Sequence, residues 1–504
     1  MPRHAAPPPL ASPQPPRRSR RRAWIILALG LLGLAVLIER GTRVAFAPPG
    51  RAGRYVADFD ALLKPYRAGD GPDAWADIAT AITLRGQLET QAYPTSGGQN
   101  YDWRFDALYT PRGLLDNRGP TQDDIDRAEN AIRIAADLGL PAVLDRIAAA
   151  RRVVRPSPEG EVIGFLLPEL GYCRYLARYC AGRMALAART GDHAERAAAF
   201  EHALALGRVC ASNFTLIDYL VGVAIHQLAF ERLRADLVNH PLPPEHLRAA
   251  LAAIDRQPLP SISTAIEGER LGLLDTIEWT HSNLPNNDGH FQPARAAAAM
   301  GLVTGSATSA LHPARWPAPL GNLAGWFLPT KRQTTRRANE MFEGLQRSIA
   351  PGIPARERTA VFDAESWLEA LPANFVVVHM LVPAFSRALE SSDSAAMLRD
   401  GTRLALATEL HRATHGAPPD ALDQLAPAIL PALPIDAVSG RPFGYKRAAD
   451  PAAPTPGYVL YSLGFDAADN DATIDAKDPF RALRRKGSGL DFQLFPVPSP
   501  PATR

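Results

Sequence analysis

Three groups of side chains have types and spacings suited to chemistry. Glu267, Arg270, Asp275 and Glu278 share one face of a predicted helix that also carries Gly268 and Gly272. Two carboxylates on one face can divide acid and base roles when a cleft pushes their pKa values apart, and an ion-paired helix face accounts for the same pattern. His411 and His415 stand four residues apart with Glu409 close by, but the H-E-x-x-H order of a zinc hydrolase is missing. His415 beside Gly416 has a simpler role as a donor at a helix C-terminus. Cys173 and Cys180 lie seven residues apart, about 10.5 Å on one helix, too far for a disulfide. Either could meet Cys210 across a hairpin in an oxidising compartment, but three core thiols are expected. There is no G-x-S-x-G, no P-loop and no G-x-G-x-x-G. The catalytic candidates therefore reduce to Glu267, Asp275 and Glu278.

The elements that must position these residues are mostly helices. Apolar residues recur at helical spacing over 57–68 and 73–90, and 91–120 reads as loop. Thr121 with Asp123 and Asp124 behind it predicts a capped helix start, and the helix should continue past Pro141 toward Arg152. Residues 167–238 predict a helical hairpin turning at Thr190-Gly191-Asp192, then a third helix over 214–238 whose core face is Phe214, Ile217 and Leu220. The hairpin resembles half of one tetratricopeptide repeat, with Arg196 where a small residue belongs and no 34-residue period. Two further helices fall in 242–279, split at Pro258 and Pro260. Residues 281–330 are irregular; their apolar stretch Leu320 to Leu328, with Trp326 and Phe327, is expected to be buried loop packing, a membrane-touching patch being the alternative. Helices resume over 334–348 and 364–391. A helix containing Leu398, Leu404, Leu406 and Leu410 should stop at His415-Gly416. Phe443 to Lys446 and Tyr458 to Ser462 predict a small antiparallel pair.

The N-terminus supplies an address. The chain has 504 residues and a formal net charge of +3, but the first 22 contain six arginines and no acid, so the remainder carries −3. A basic footprint confined to a tail argues against nucleic acid as a partner. Behind the arginines runs Ala23 to Ile38, unbroken and apolar. At about 24 Å it is short for a hydrocarbon core of ~30 Å, but Trp24, Arg22 and Arg40 can anchor it at the interfaces. Ala45-Phe46-Ala47 offers a signal-peptidase-like site, yet Glu39, Arg40 and Arg43 intervene, which favours an uncleaved anchor. Five arginines packed before the span orient the N-terminus to the cytoplasm.

From "HGAPPDALDQL" through "LPIDAVSGRPFGY" and "GYVLYSLGFD" to an aspartate-rich loop, the C-terminal ~90 residues are similar in order to the extracytoplasmic module of type II secretion pseudopilins. The resemblance implies a long helix packed on a small sheet and a terminal loop that binds calcium. The ligands it implies are Asp466, Asp469, Asp471 and Asp475, although the residues themselves favour a metal-free, solvated acidic turn over calcium. Calcium takes six to eight oxygens, but the glycines common in the family loop are missing. Asn213 to Asp218 also echoes a prepilin processing motif, placed far too deep in the chain to be one. The arrangement as a whole resembles a loose group of uncharacterised bacterial envelope proteins.

The expected fold is mainly α: a disordered basic tail (1–22), a transmembrane anchor (23–40), an irregular helical bundle or solenoid-like extracytoplasmic domain (50–391), a pseudopilin-like α+β module (393–486) and a disordered tail (487–504). The expected function is a membrane-anchored extracytoplasmic binding or assembly protein of the bacterial envelope. Its expected partners are the inner membrane, through residues 23–40, and envelope proteins. An extracytoplasmic hydrolase using the 267–278 carboxylates is the alternative. Calcium is the one candidate cofactor.

Overall fold

The computed structural model describes residues 17–92, 121–156, 169–284, 288–293, 295–296, 319, 322–323, 325–381, 385–447, 457–475, 479–483 and 489–497. The expected tail over 1–16, the loop over 93–120 and much of the irregular stretch 281–330 lie outside these residues. The fold is mainly helical, with one N-terminal apolar helix and one small C-terminal sheet. It divides into two compact units, one of residues 1–51 with 277–334, the other of residues 52–276 with 335–504.

The first unit is built on helix α1, Arg17–Ala45, which takes up the arginines expected in a disordered tail and runs past the anticipated end at 40. Its stretch Trp24–Ala45 is 22 residues, about 33 Å, long and apolar enough to cross a membrane. Trp24 to Ile38 bury nothing. Past Ala45 the chain is strapped to 277–334: Asn322 Nδ2 donates to the Ala45 carbonyl at 3.2 Å, and the Asn283 amide to Pro48 O at 2.8 Å. Single bridges join Pro49 to Ser282 and His281 to Phe291. Gly50 is required here, because a β-carbon would stand 1.8 Å from the Glu278 carbonyl.

In the second unit, α2 (Val56–Arg67), α3 (Ala74–Ala92), α4 (Gln122–Asp137) and α5 (Leu140–Ala149) lead into the long helices α6 (Glu169–Thr190), α7 (His193–Ala211), α8 (Leu216–Asn239) and α9 (Pro244–Arg256). The expected helix through Pro141 is two helices. Gly139, at φ +80, opens α5 with Pro141 in its first turn, where proline is tolerated. Thr121 and Asp124 form the anticipated start of α4 as a reciprocal capping box. Helix α10, Ile262–Thr280, follows the Pro258–Pro260 break. Arg196 is fully buried and donates to the His240 and Leu233 carbonyls at 2.6 and 3.4 Å, closing the C-terminal end of α8. A guanidinium thus occupies the position where a tetratricopeptide would place a small residue.

The expected core face of α8 is corrected. Phe214 is buried but Ile217 is exposed and Leu220 half-buried; Leu216, Asp218, Tyr219 and Val223 point inward instead. The helix is turned by its polar start, where Asp218 is drawn in by Arg155, Asn213 and Thr215.

The single expected helix over 364–391 is three: α13 (Ala364–Ala370), α14 (Val376–Leu381) and the start of α15 (Phe385–His415), after α11 (Lys331–Ser348) and the short α12 (Arg358–Val361). Helix α15 passes unbroken through the expected boundary at 391–393. Its residues Met397 to Leu410 share one core with α6–α9 and the sheet, so the C-terminal module is not a separate core. It ends as anticipated, Gly416 taking φ +81. Strands β1 (Gly444–Arg447) and β2 (Tyr458–Ser462) pair antiparallel as expected. A third strand, β3 (Phe492–Phe495), lies in the stretch expected to be a tail and pairs antiparallel with β2, Ser462 facing Phe492 and Leu460 facing Phe495. Phe492, Leu494 and Phe495 are buried there.

Candidate functional site

The three carboxylates of α10 are engaged separately. Glu267 is held by Arg270, two nitrogens donating at 2.6 and 2.8 Å, and the same guanidinium donates to Asn339 Oδ1. This is the ion-paired face. Asp275 is buried and accepts the Gly53 amide at 3.1 Å. In the other unit, Glu278 accepts from buried Lys331 at 3.1 Å.

The aspartate loop does not form the ligand set that the resemblance implies. Asp466 accepts the amides of Ala468 and Gly489, and Asp469 accepts the Asp471 amide and the Tyr461 hydroxyl. Asp471 is paired with Lys446, and Asp475 with Arg481 at 3.3 Å. Carboxylates already spent on the loop's own N–H groups and on cations are poorly placed to converge on calcium. Among the described residues no group of three or more His, Cys, Asp or Glu is placed to hold a metal ion. Without glycines, the loop turns through Ala467, Asp471 and Ala472, each at positive φ. Sequence reasoning missed Asp491, which organises it: its carboxylate accepts the Asn470 and Ala472 amides at 3.1 and 2.8 Å. Burial and the charges of Asp469 and Asp466 push Asp491 up to about 6.

The cysteines are three buried free thiols. Cys173 and Cys210 meet across the α6–α7 hairpin, and burial pushes Cys180 up to about 12, which keeps it an unreactive thiol. His411 and His415 stack at 4.2 Å, and each Nδ1 donates to a carbonyl at the end of α15, Ala417 O and His411 O. His415 thus takes the terminal-donor role expected of it.

Two open sites of the second unit lie elsewhere, on residues that no motif marks. A cavity of about 330 Å³ is lined by α5, α7 and α9. At its edge Arg183 donates to His202 Nδ1 at 3.0 Å, so that nitrogen carries the lone pair and Nε2 donates to Asp145 at 2.8 Å. Glu195 holds the Arg183 guanidinium in turn. Burial first, then the Arg183 charge, lowers the His202 pKa and keeps the ring neutral. With both ring nitrogens committed, His202 shapes the wall and is not poised as a base.

A second cavity, about 460 Å³, is lined by Arg151, Arg208, Tyr66, Val153, Leu259 and Pro260 among others. Arg208 is fixed by Gln257 Oε1 at 2.7 Å and by the Ala150 and Ile147 carbonyls ending α5. Burial and neighbouring Arg151 lower it to about 10. Among the described residues neither arginine has a carboxylate partner, whereas Arg256, which lines both cavities, is held by Glu201. Two guanidiniums without a carboxylate partner, beside a proline- and leucine-lined wall whose one acid, Asp255, is held by Arg403, suit an anionic group carried on an apolar body. Unpaired arginines among fifty leave no spacing signal, so only the fold reveals them.

No family model, curated protein or solved structure matches the chain.

Proposed function

We propose that this chain is a single-pass protein of a bacterial inner membrane, its N-terminus cytoplasmic and its helical bulk extracytoplasmic, where it binds or assembles envelope partners. The observation that carries this reading is α1. A helix whose Trp24 to Ile38 side chains are all exposed is unstable in water and natural in lipid. Arginines 17, 18 and 20–22 before it against fewer behind it favour the inside-first orientation. Retention of the anchor is supported by the burial of Val44, Ala45 and Ala47, which would have to be pulled out for cleavage at the A-x-A site.

Binding, not turnover, is supported by the engagement of Glu267, Asp275 and Glu278 and by the open cavity at Arg151 and Arg208, which suits an acidic segment of a partner. The long helix α15, the small sheet and the aspartate turn stand in the order a pseudopilin-like module would have, which favours an assembly role. Protease added to spheroplasts tests the topology. Digestion of the body with retention of a membrane-embedded N-terminal fragment is expected; full protection of the body overturns the reading.

A further inference from the structure

The first unit carries exposed aromatic rings near the C-terminal end of α1. Phe327 is 84% exposed and Phe46 73%. Half-buried Trp326 stacks beside Phe327 with ring centroids 6.5 Å apart. Trp326 and Leu323 pack against Gly41 of α1, their nearest carbons 3.6 and 3.8 Å from where its β-carbon would be. Of the apolar stretch expected to be buried loop packing, Trp326 and Leu323 pack on α1, and Phe327 alone among its described residues is exposed.

It is also fixed in height. Gly325 sits so close to Phe291 that a β-carbon would fall 1.9 Å from its carbonyl, and the Lys331 amide donates to Gly289 O at 2.7 Å. The 289–292 segment is in turn bonded to 280–282, and through the Pro49 bridge to the chain leaving α1. Trp24 and Gly41 are 17 residues apart, about 25 Å along the helix, close to a hydrocarbon thickness. Glu39, Arg40 and Arg43 appear at the Gly41 end, with Glu39 and Arg43 paired at 2.6 Å, which is where headgroups must begin.

We propose that Trp326, Phe327 and Phe46 form an interfacial collar that enters the headgroup layer of the bilayer spanned by α1, opposite the interface marked by Trp24. This rests on the membrane reading above. Aromatic rings are favoured at that depth because their apolar faces leave water while their edges stay among polar groups. Continuity with the exposed span identifies lipid as the occupant. The collar fixes how deeply the anchor sits, because Trp326 and Leu323 pack directly on Gly41 of the helix.

The test uses the full chain in phosphatidylethanolamine/phosphatidylglycerol vesicles, with one nitroxide attached at Phe327→Cys, Leu31→Cys or Glu129→Cys. The native thiols are buried and leave the introduced one to react. Collision with oxygen, which concentrates in lipid, is compared with collision with a water-soluble nickel chelate. The 327 label is expected to show an oxygen-to-nickel ratio several-fold above that of 129 and below that of 31. A 327 ratio equal to that of 129, with 31 reading as lipid, overturns the collar alone. Shielding of 327 from both reagents overturns it in favour of a protein partner or a second copy. An aqueous reading at 31 overturns the membrane assignment itself.

Discussion

Removing the Asp218 charge should destabilise the second unit more than any surface change, and removing its partner as well should restore most of the loss. Asp218 is fully buried and accepts from Arg155 Nη1 at 2.5 Å, Asn213 Nδ2 at 2.6 Å and the Thr215 hydroxyl at 2.5 Å. Arg155, also buried, is otherwise left with Glu169 at 3.5 Å and the face of Trp75 at 4.4 Å. Desolvation outweighs the attraction of Arg155, so the Asp218 pKa is raised and the ion pair as a whole contributes little. Breaking it is a different matter. Asp218→Asn strands a buried guanidinium, at a cost of about 3–5 kcal/mol. In a unit of about 400 residues, that corresponds to a fall in Tm of roughly 5 °C. Replacing both groups, Arg155→Met with Asp218→Asn, should return to within about 1–2 kcal/mol of the parent. Urea unfolding of the detergent-solubilised full chain, followed by far-UV circular dichroism, measures all three. If the double variant is as unstable as Asp218→Asn, the stranded charge is not the cause, and the reasoning is refuted.

Three further outcomes are expected, two of them at the α7–α8 contact. A β-carbon on Gly222 would lie 2.4 Å from the Gly207 carbonyl, so Gly222→Ala should cost about 1–3 kcal/mol. Gly86→Ala, mid-helix with nothing within 4 Å, should stabilise by about 0.5–1 kcal/mol in the same urea titration. His226, buried and donating from Nε2 to Leu204 O at 2.7 Å, is lowered to about 4 by desolvation. A depressed histidine gives stability that is complete above its unfolded value near 6.5 and lost as pH falls through 4. Between pH 7 and 5 the unfolding free energy should drop by about 2 kcal/mol from this group; an equal drop in His226→Gln would show that other groups carry it.

Local signals survived folding where a single turn sufficed to express them. Thr121 and Asp124 cap α4, Gly416 ends α15, and the apolar run after Trp24 is a helix, because each depends on neighbours a few residues away. Signals that depend on distant partners did not. Ile217 belongs to an apolar periodicity, yet Asp218 goes inside because Arg155, 63 residues earlier, neutralises it. Phe492-Gln493-Leu494 alternates as a strand should, but Pro496 and Pro498 gave the stretch the texture of a tail. The aspartate loop read as a ligand cluster because four acids were countable, while Asp491, the acid that holds the loop's amides, stood 16 residues beyond Asp475. At Arg151 and Arg208 the informative property is a missing partner, which no spacing encodes.

The third strand has a consequence for the order in which the molecule is made. Leu494 fills the space above Gly401 in α15, its carbonyl accepts from Arg234 of α8 at 2.5 Å, and β3 covers the edge of β2. The core begun by the central helices is therefore closed by residues 492–495, which are synthesised after all of those helices. Until they leave the ribosome the nascent chain has an open β2 edge and an unfilled slot over α15, a state suited to chaperones. A stop codon at position 491 would leave every described helix encoded and the interior unsealed.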